Sequence, residues 1–243
     1  MESKNDIFDL GRFGHELKSC LQDKRKELVP YGVSTIILIA IFTVSNLCQH
    51  AGMGRSLWSF TGIVYFIILC MCVGVSSRAF FSLNTVNGAL TELTTPSSQL
   101  EKFLARWLVS VVLPLAFCIV MMKGVEIVAL DSITYYYTNI KPSKISLLDE
   151  MKMTYSFTAS WLIITVWLQS IFFLGSAGWK KYSQLKTIAV LTLMFILTVA
   201  VCGGYMPFLK VTYSRTLTIL IITLVPVCLY CAAWVMYRRA QVK

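Results

Sequence analysis

Six stretches dominated by apolar residues alternate with polar segments along the chain, near Leu28–Cys48, Leu57–Ser77, Trp107–Leu130, Tyr155–Gly178, Thr187–Leu209 and Thr216–Tyr237. Each has about the twenty residues that a helix rising about 1.5 Å per residue needs to cross about 30 Å of hydrocarbon. The pattern predicts an all-α polytopic membrane protein. Residues 28–243 form a six-helix transmembrane domain, and residues 1–27 form a cytoplasmic amphipathic segment. In the latter, Leu10, Phe13, Leu17, Leu21 and Leu28 recur at helical spacing, with Arg12, Glu16, Lys18, Asp23, Lys24 and Lys26 over much of the remaining surface. That is the pattern of a helix lying in the inner membrane interface. Asp6 is its expected N-cap, and Pro30 the point at which it turns into the first span.

The segment 78–106 between the second and third spans is long and unevenly polar. Phe80, Phe81, Leu83, Val86, Leu90 and Leu93 belong to no apolar run and predict one or two short packed helices. Thr95-Pro96-Ser97-Ser98 then makes a turn, and Ser98 with Glu101 three residues on forms a capping box that opens a helix leading straight into the third span. A short helix followed by a capped span is what a docking element for a cytosolic partner requires; a packed connector would carry the same features. Residues 131–154 read as a neutral external loop, with Asp131, Asp149 and Glu150 against Lys141, Lys144 and Lys152.

Composition sharpens the class. Of 243 residues 56% are hydrophobic and 14% charged, against about 25% charged in a soluble domain. The net charge of +10 is distributed by topology. The N-terminal segment, the 78–106 and 179–186 loops and the tail hold 15 Lys and Arg, and the alternate loops hold 6, which places both termini in the cytoplasm of the cell membrane. Trp58, Trp107, Tyr155, Trp179, Tyr182, Trp234 and Tyr237 fall near span edges, where amphipathic rings prefer to lie. A soluble enzyme and a nucleic-acid partner are excluded on this composition. Residues 1–27 are charged throughout and no small-residue cleavage site follows the first apolar run, so no secretory signal peptide is expected.

Seven of the eight cysteines lie in the spans, where small apolar packing is their expected role. Cys228 and Cys231 form a C-x-x-C without further Cys or His partners, and His15 and His50 are the only histidines, so no metal site is expected. The membrane interior is nearly free of ionisable groups. The exceptions are Lys123 and Glu126, spaced to pair on one helix face near the outer end of the third span, as a structural ion pair or as part of a substrate path. Gln169 and Asn46 read as interhelical hydrogen-bonding groups, and Pro114 and Pro226 as bends. No converging nucleophile and base point to a membrane enzyme, and no midplane charges or internal repeat point to an ion-coupled transporter.

The amphipathic leader, the six spans with both ends inside and the 2–3 segment ending LTTPSSQLEKFLARWL together resemble the permease subunit of a bacterial ABC-2-type ATP-binding-cassette exporter. Pro96, Ser97, Lys102, Phe103 and Trp107 stand where members carry a Leu-Pro-x-Ser motif, a Lys and an aromatic-rich third span, with Thr95 in place of the Leu. The resemblance implies that the 2–3 segment seats in a separate ATPase subunit, with Val86, Leu90, Leu93, Pro96, Glu101 and Lys102 as coupling residues. It also implies a homodimer or heterodimer with a second permease, surrounded by membrane lipids. No G-x-x-x-x-G-K-[ST] phosphate loop occurs, so ATP hydrolysis belongs to the partner and no cofactor is expected. A non-transporting scaffold, assembly or sensor protein is the alternative.

Overall fold

Backbone N–H and C=O groups in apolar surroundings must bond within the protein, and an α-helix satisfies them inside a single segment. The computed structural model of the chain obeys that rule. It describes residues 8–48, 56–81, 97–139, 144–179, 182–193 and 215–241, and among these residues every regular element is helical. In chain order the helices are α1 (Leu10–Cys48), α2 (Ser56–Ser77), α3 (Gln99–Trp107), α4 (Leu113–Asn139), α5 (Lys144–Gly178), α6 (described over 183–193) and α7 (Arg215–Gln241). A single π-helical turn, Leu108–Val112, joins α3 to α4.

Two described stretches are long and apolar enough to cross a membrane, Gln99–Asp131 with 33 residues and Met151–Gly178 with 28. Leu28–Ile41 and Thr61–Ser77 are shorter apolar helices. Most of the fifth expected span lies outside the described residues. The first of the long stretches reaches about 50 Å at about 1.5 Å per residue, more than the hydrocarbon thickness, so part of it projects beyond any apolar layer it crosses.

Two boundaries differ from those the hydropathy pattern predicts. Pro30 does not turn the chain, because α1 continues through it as one helix of 39 residues. Proline removes one hydrogen bond, to the carbonyl four residues earlier, and Pro30 is exposed, so that carbonyl lies on an outward face where it can be satisfied from outside. The expected loop 131–154 is mostly helical as well, since α4 runs to Asn139 and α5 starts at Lys144. Pro142 is the one proline in that interval and there is no glycine, so nothing on either side of residues 140–143 stops the two helices.

The helices pack α5 against α7, α2 and α4, and α1 against α2, α3 and α4. One core cluster gathers Tyr65, Ile68, Cys72, Cys118, Met122 and Val125. In it the Tyr65 hydroxyl lies 2.9 Å from Thr158 Oγ1 and 3.3 Å from the Met122 carbonyl. The second cluster, which ties α3, α5 and α7 to the turn that ends α2, is aromatic. Phe103 sits among Phe80, Phe173, Trp234 and Tyr237 at centroid distances of 5.0–6.1 Å. The Arg106 guanidinium lies 5.7 Å from the Phe80 ring centre and 5.9 Å from that of Tyr237, where the negative ring faces attract it. At Gly175 a Cβ would fall 2.1 Å from Thr187 Oγ1, so only glycine lets α6 cross α5 this closely.

Outward faces are apolar. Val29, Val33, Ile36, Ile37, Ile41 and Val44 on α1 are 50–59% exposed, and Val120 and Ile127 on α4 are 66% exposed. Because Phe103 sits at the centre of the aromatic cluster, F103A is expected to lower stability by about 3–5 kcal/mol, measured by unfolding in detergent. L185A, on an exposed position of α6, is expected to change it by less than about 0.5 kcal/mol.

Candidate functional site: a shared carboxylate and a buried polar turn

Every helix start leaves four N–H groups without partners in the helix. At α3 the local sequence supplies the answer, as expected from Ser98 and Glu101. Ser98 Oγ accepts from the Glu101 N–H at 3.2 Å, and Glu101 Oε2 accepts from the Ser98 N–H at 2.8 Å. The other carboxylate oxygen, Oε1, accepts from the Asp9 N–H at 2.8 Å, 92 residues away, and lies 3.7 Å from the Arg12 guanidinium. Asp9 in turn caps α1: its Oδ1 accepts from the Gly11 N–H at 2.9 Å and its carbonyl from Phe13 at 2.9 Å. The cap of α1 is therefore Asp9; Asp6 lies outside the described residues. Ser97 adds a hydrogen bond to Glu16 at 3.2 Å.

Burial would raise the Glu101 carboxyl, yet the N–H groups of Asp9 and Ser98 and the Arg12 charge outweigh it and hold the group below the usual carboxylate range. Glu101 thus stays ionised and joins the starts of two helices. Around it the two faces are further stitched. Lys24 on α1 donates to the Arg78 carbonyl just after α2, and Ser183 and Gln184 at the start of α6 donate to the Ser77 carbonyl and hydroxyl at 3.1 and 2.6 Å. Burial pushes the Cys20 thiol up to about 11, the opposing fields of Arg106 and Lys24 notwithstanding, so it is protonated at neutral pH and a poor nucleophile.

Of the expected coupling residues, Val86, Leu90, Leu93 and Pro96 lie outside the described residues. Glu101 and Lys102 are buried, 0% and 6% exposed, so they face the protein's own helices. On the amphipathic segment Leu10 and Leu21 are exposed, while Phe13 and Leu17 are half-buried, with the Phe13 ring 5.3 Å from Phe8. Lys123 and Glu126 do meet: Nζ lies 2.9 and 3.0 Å from the two carboxylate oxygens. Glu126 is 3% exposed while Lys123 reaches outward, its ammonium 5.9 Å from the Tyr155 ring centre. Such an arrangement neutralises a buried carboxylate and leaves the cation at the periphery.

Sequence reasoning predicts a bend at Pro114 but misses the polar site built around it. Proline gives no N–H to the preceding turn, and here that turn is π-helical, with the Leu113 N–H bonding to the Leu108 carbonyl. Carbonyls loosened in this way are bonded from neighbouring helices. Ser76 Oγ on α2 donates to the Ser110 carbonyl at 2.7 Å, and Gln169 Nε2 on α5 donates to the Val111 carbonyl at 2.9 Å. Ser76, Ser110 and Gln169 are all 0% exposed. Trp107 Nε1, Ser110 Oγ and Gln169 Oε1 are buried polar atoms that reach no hydrogen-bond partner, so unused donor and acceptor capacity surrounds this turn. Gln169, expected to bond between helices, does so here, and Pro114 at the head of a long apolar helix is the signal that could have placed that bond.

Among the described residues no group of three or more His, Cys, Asp or Glu side chains could hold a metal ion. Comparison with protein-family models, curated proteins and solved structures finds no match.

Replacing Glu101 with Ala leaves the N–H groups of Asp9 and Ser98 without their acceptor and is expected to destabilise by about 1–2 kcal/mol, with faster hydrogen exchange at both amides. Because the folded carboxyl is held low, its contribution is complete above the ordinary carboxylate value of about 4.3 and disappears as pH falls through the lowered value. An acid titration monitored by exchange at the Asp9 amide should show that loss in wild type and not in E101A. At the π turn, S76A and Q169L are each expected to destabilise by about 0.6–1.7 kcal/mol, read from unfolding in detergent.

Proposed function

We propose that the chain is the membrane-spanning, permease-like subunit of an ATP-driven exporter, multi-pass in the cell membrane with both termini cytoplasmic. It moves its substrate by alternating access, driven by a separate ATP-binding-cassette subunit. The observation that carries this reading is the Glu101 junction. The residues leaving the 82–96 segment enter α3, whose first turn is held by Glu101 to the start of α1. α3 then passes through the π turn into α4, and their shared stretch Gln99–Asp131 is one of the two long and apolar enough to cross a membrane. Force applied to the 82–96 segment by a partner would therefore move the amphipathic part of α1 and the third span together.

The interior suits such a motion. Rigid helices that tilt against one another need no titrating group at membrane depth, and the Lys123–Glu126 pair is internally neutralised. Two copies, or one copy with a related permease, would enclose the pathway between two ATPase subunits. The aromatic cluster that ties three helices to the end of α2 favours, as a second reading, a scaffold, assembly or sensor subunit that moves nothing.

Affinity purification of the tagged full-length chain from native membranes separates the two. The exporter reading expects an ABC-type ATPase in near-stoichiometric amount. The double variant L90E/L93E should reduce its recovery at least tenfold while membrane insertion is unchanged. Native membranes that yield the chain without any ATPase would remove the exporter reading and leave the scaffold.

A further inference from the structure

Helices α1, α2 and α4 enclose a cavity of about 100 Å³, bounded by Leu28 and Gly32 on α1, Cys72 and Val75 on α2, and Pro114 and Phe117 on α4. Its lining is almost wholly apolar. The Thr35 hydroxyl donates to the Tyr31 carbonyl at 2.8 Å, and the Cys72 and Cys118 thiols are hydrogen-bonded to each other. A ligand here would find dispersion contacts and almost no hydrogen-bonding groups, which fits a hydrocarbon chain.

One end of the cavity is basic. Lys24 stands one turn before Leu28 on α1, and Arg78 comes three residues after Val75, at the end of α2. The bond from the Lys24 ammonium to the Arg78 carbonyl ties the middle of α1 to the end of α2. Arg25 and Lys26 beside them are exposed, as is the Arg78 residue. Asp23 and Glu27 are the acids of the same stretch of α1, so the basic residues outnumber them. On the other side of the cavity, the outward row Val29, Val33, Ile36 and Ile37 continues the apolar surface along α1.

From this juxtaposition of an apolar slot and a cationic rim we propose that the cavity takes a short segment of one acyl chain of an anionic phospholipid, whose net negative headgroup is held at Arg25 and Arg78. The inference rests on the chain spanning a membrane with this end at the cytoplasmic face. Headgroup selection is electrostatic, and chain retention depends on the slot, so the two halves of the site can be tested separately.

Native mass spectrometry of the full-length protein, equilibrated with phosphatidylglycerol or phosphatidylcholine of identical acyl chains, reads both. Wild type should retain phosphatidylglycerol in preference. R25Q and R78Q should each lower that preference roughly fivefold, with a smaller change in phosphatidylcholine retention. Gly32 lines the slot and a Cβ there meets no atom within 4 Å, so G32L should fill it and reduce retention of both lipids. Equal retention of the two lipids by wild type, or undiminished retention by a folded G32L, overturns the site. If the protein resists carbonate extraction yet shows no preference, the lipid site fails and the membrane reading stands; release by carbonate would instead remove the membrane reading on which the site rests.

Discussion

The Glu101 carboxylate accepts hydrogen bonds from two chain segments 92 residues apart, and much of this end of the helix bundle is arranged around that fact. A helix start is a set of donors that something must satisfy. By serving Asp9 and Ser98 at once, one side chain fixes where α1 begins relative to α3. That placement sets the register of the later residues on each helix. Phe103 and Arg106, further along α3, reach the aromatic cluster, and Lys24 on α1 reaches the end of α2. The burial of a charge is tolerable because it is shared among backbone donors and Arg12, each of which favours the ionised form. A neutral amide at this position would keep the shape and lose most of the reason for it.

Deeper in the bundle the same requirement is met by other means. Pro114 and the π turn weaken the internal bonding of the longest apolar helix, and Ser76 and Gln169 bond to the Ser110 and Val111 carbonyls from helices on either side. These bonds fasten α2 and α5 to one short segment of backbone, so the turn is at once the weakest point of its own helix and a joint between three. The hydroxyl of Ser110 and the second polar atom of Gln169 remain without partners there. A joint with spare donors and acceptors can exchange one bond for another without desolvating a new group, which a fully apolar crossing cannot do.

Legibility in the sequence divides along one line. The Ser98–Glu101 box and the Lys123–Glu126 pair are both spaced i, i+3, and that spacing alone brings the side chains together on a helix. The all-helical class is implied by the apolar runs. Non-local contacts are not legible: nothing near Glu101 announces Asp9, and nothing near Val111 announces Gln169. The differences at Pro30 and at 131–154 have another origin. Polar residues and an isolated proline suggest helix ends at the limits of an apolar layer, whereas α1, α4 and α5 continue past them. Helix continuity is governed by backbone hydrogen bonds, while hydropathy reports the surroundings of the side chains, and the two change at different residues.

The two charged sites differ in a way that bears on any motion of the bundle. Lys123 and Glu126 lie one turn apart on the same helix, so their bond survives any rigid displacement of α4 and can neither drive nor record it. Glu101 bonds across two helices, and its contacts with Asp9 and Arg12 cannot persist if α1 and α3 separate by more than about an ångström, given how steeply hydrogen bonds weaken with distance. A shift of either helix must therefore carry α1 and α3 as one body or break this junction, and the depressed carboxyl makes the first course the less costly one at neutral pH.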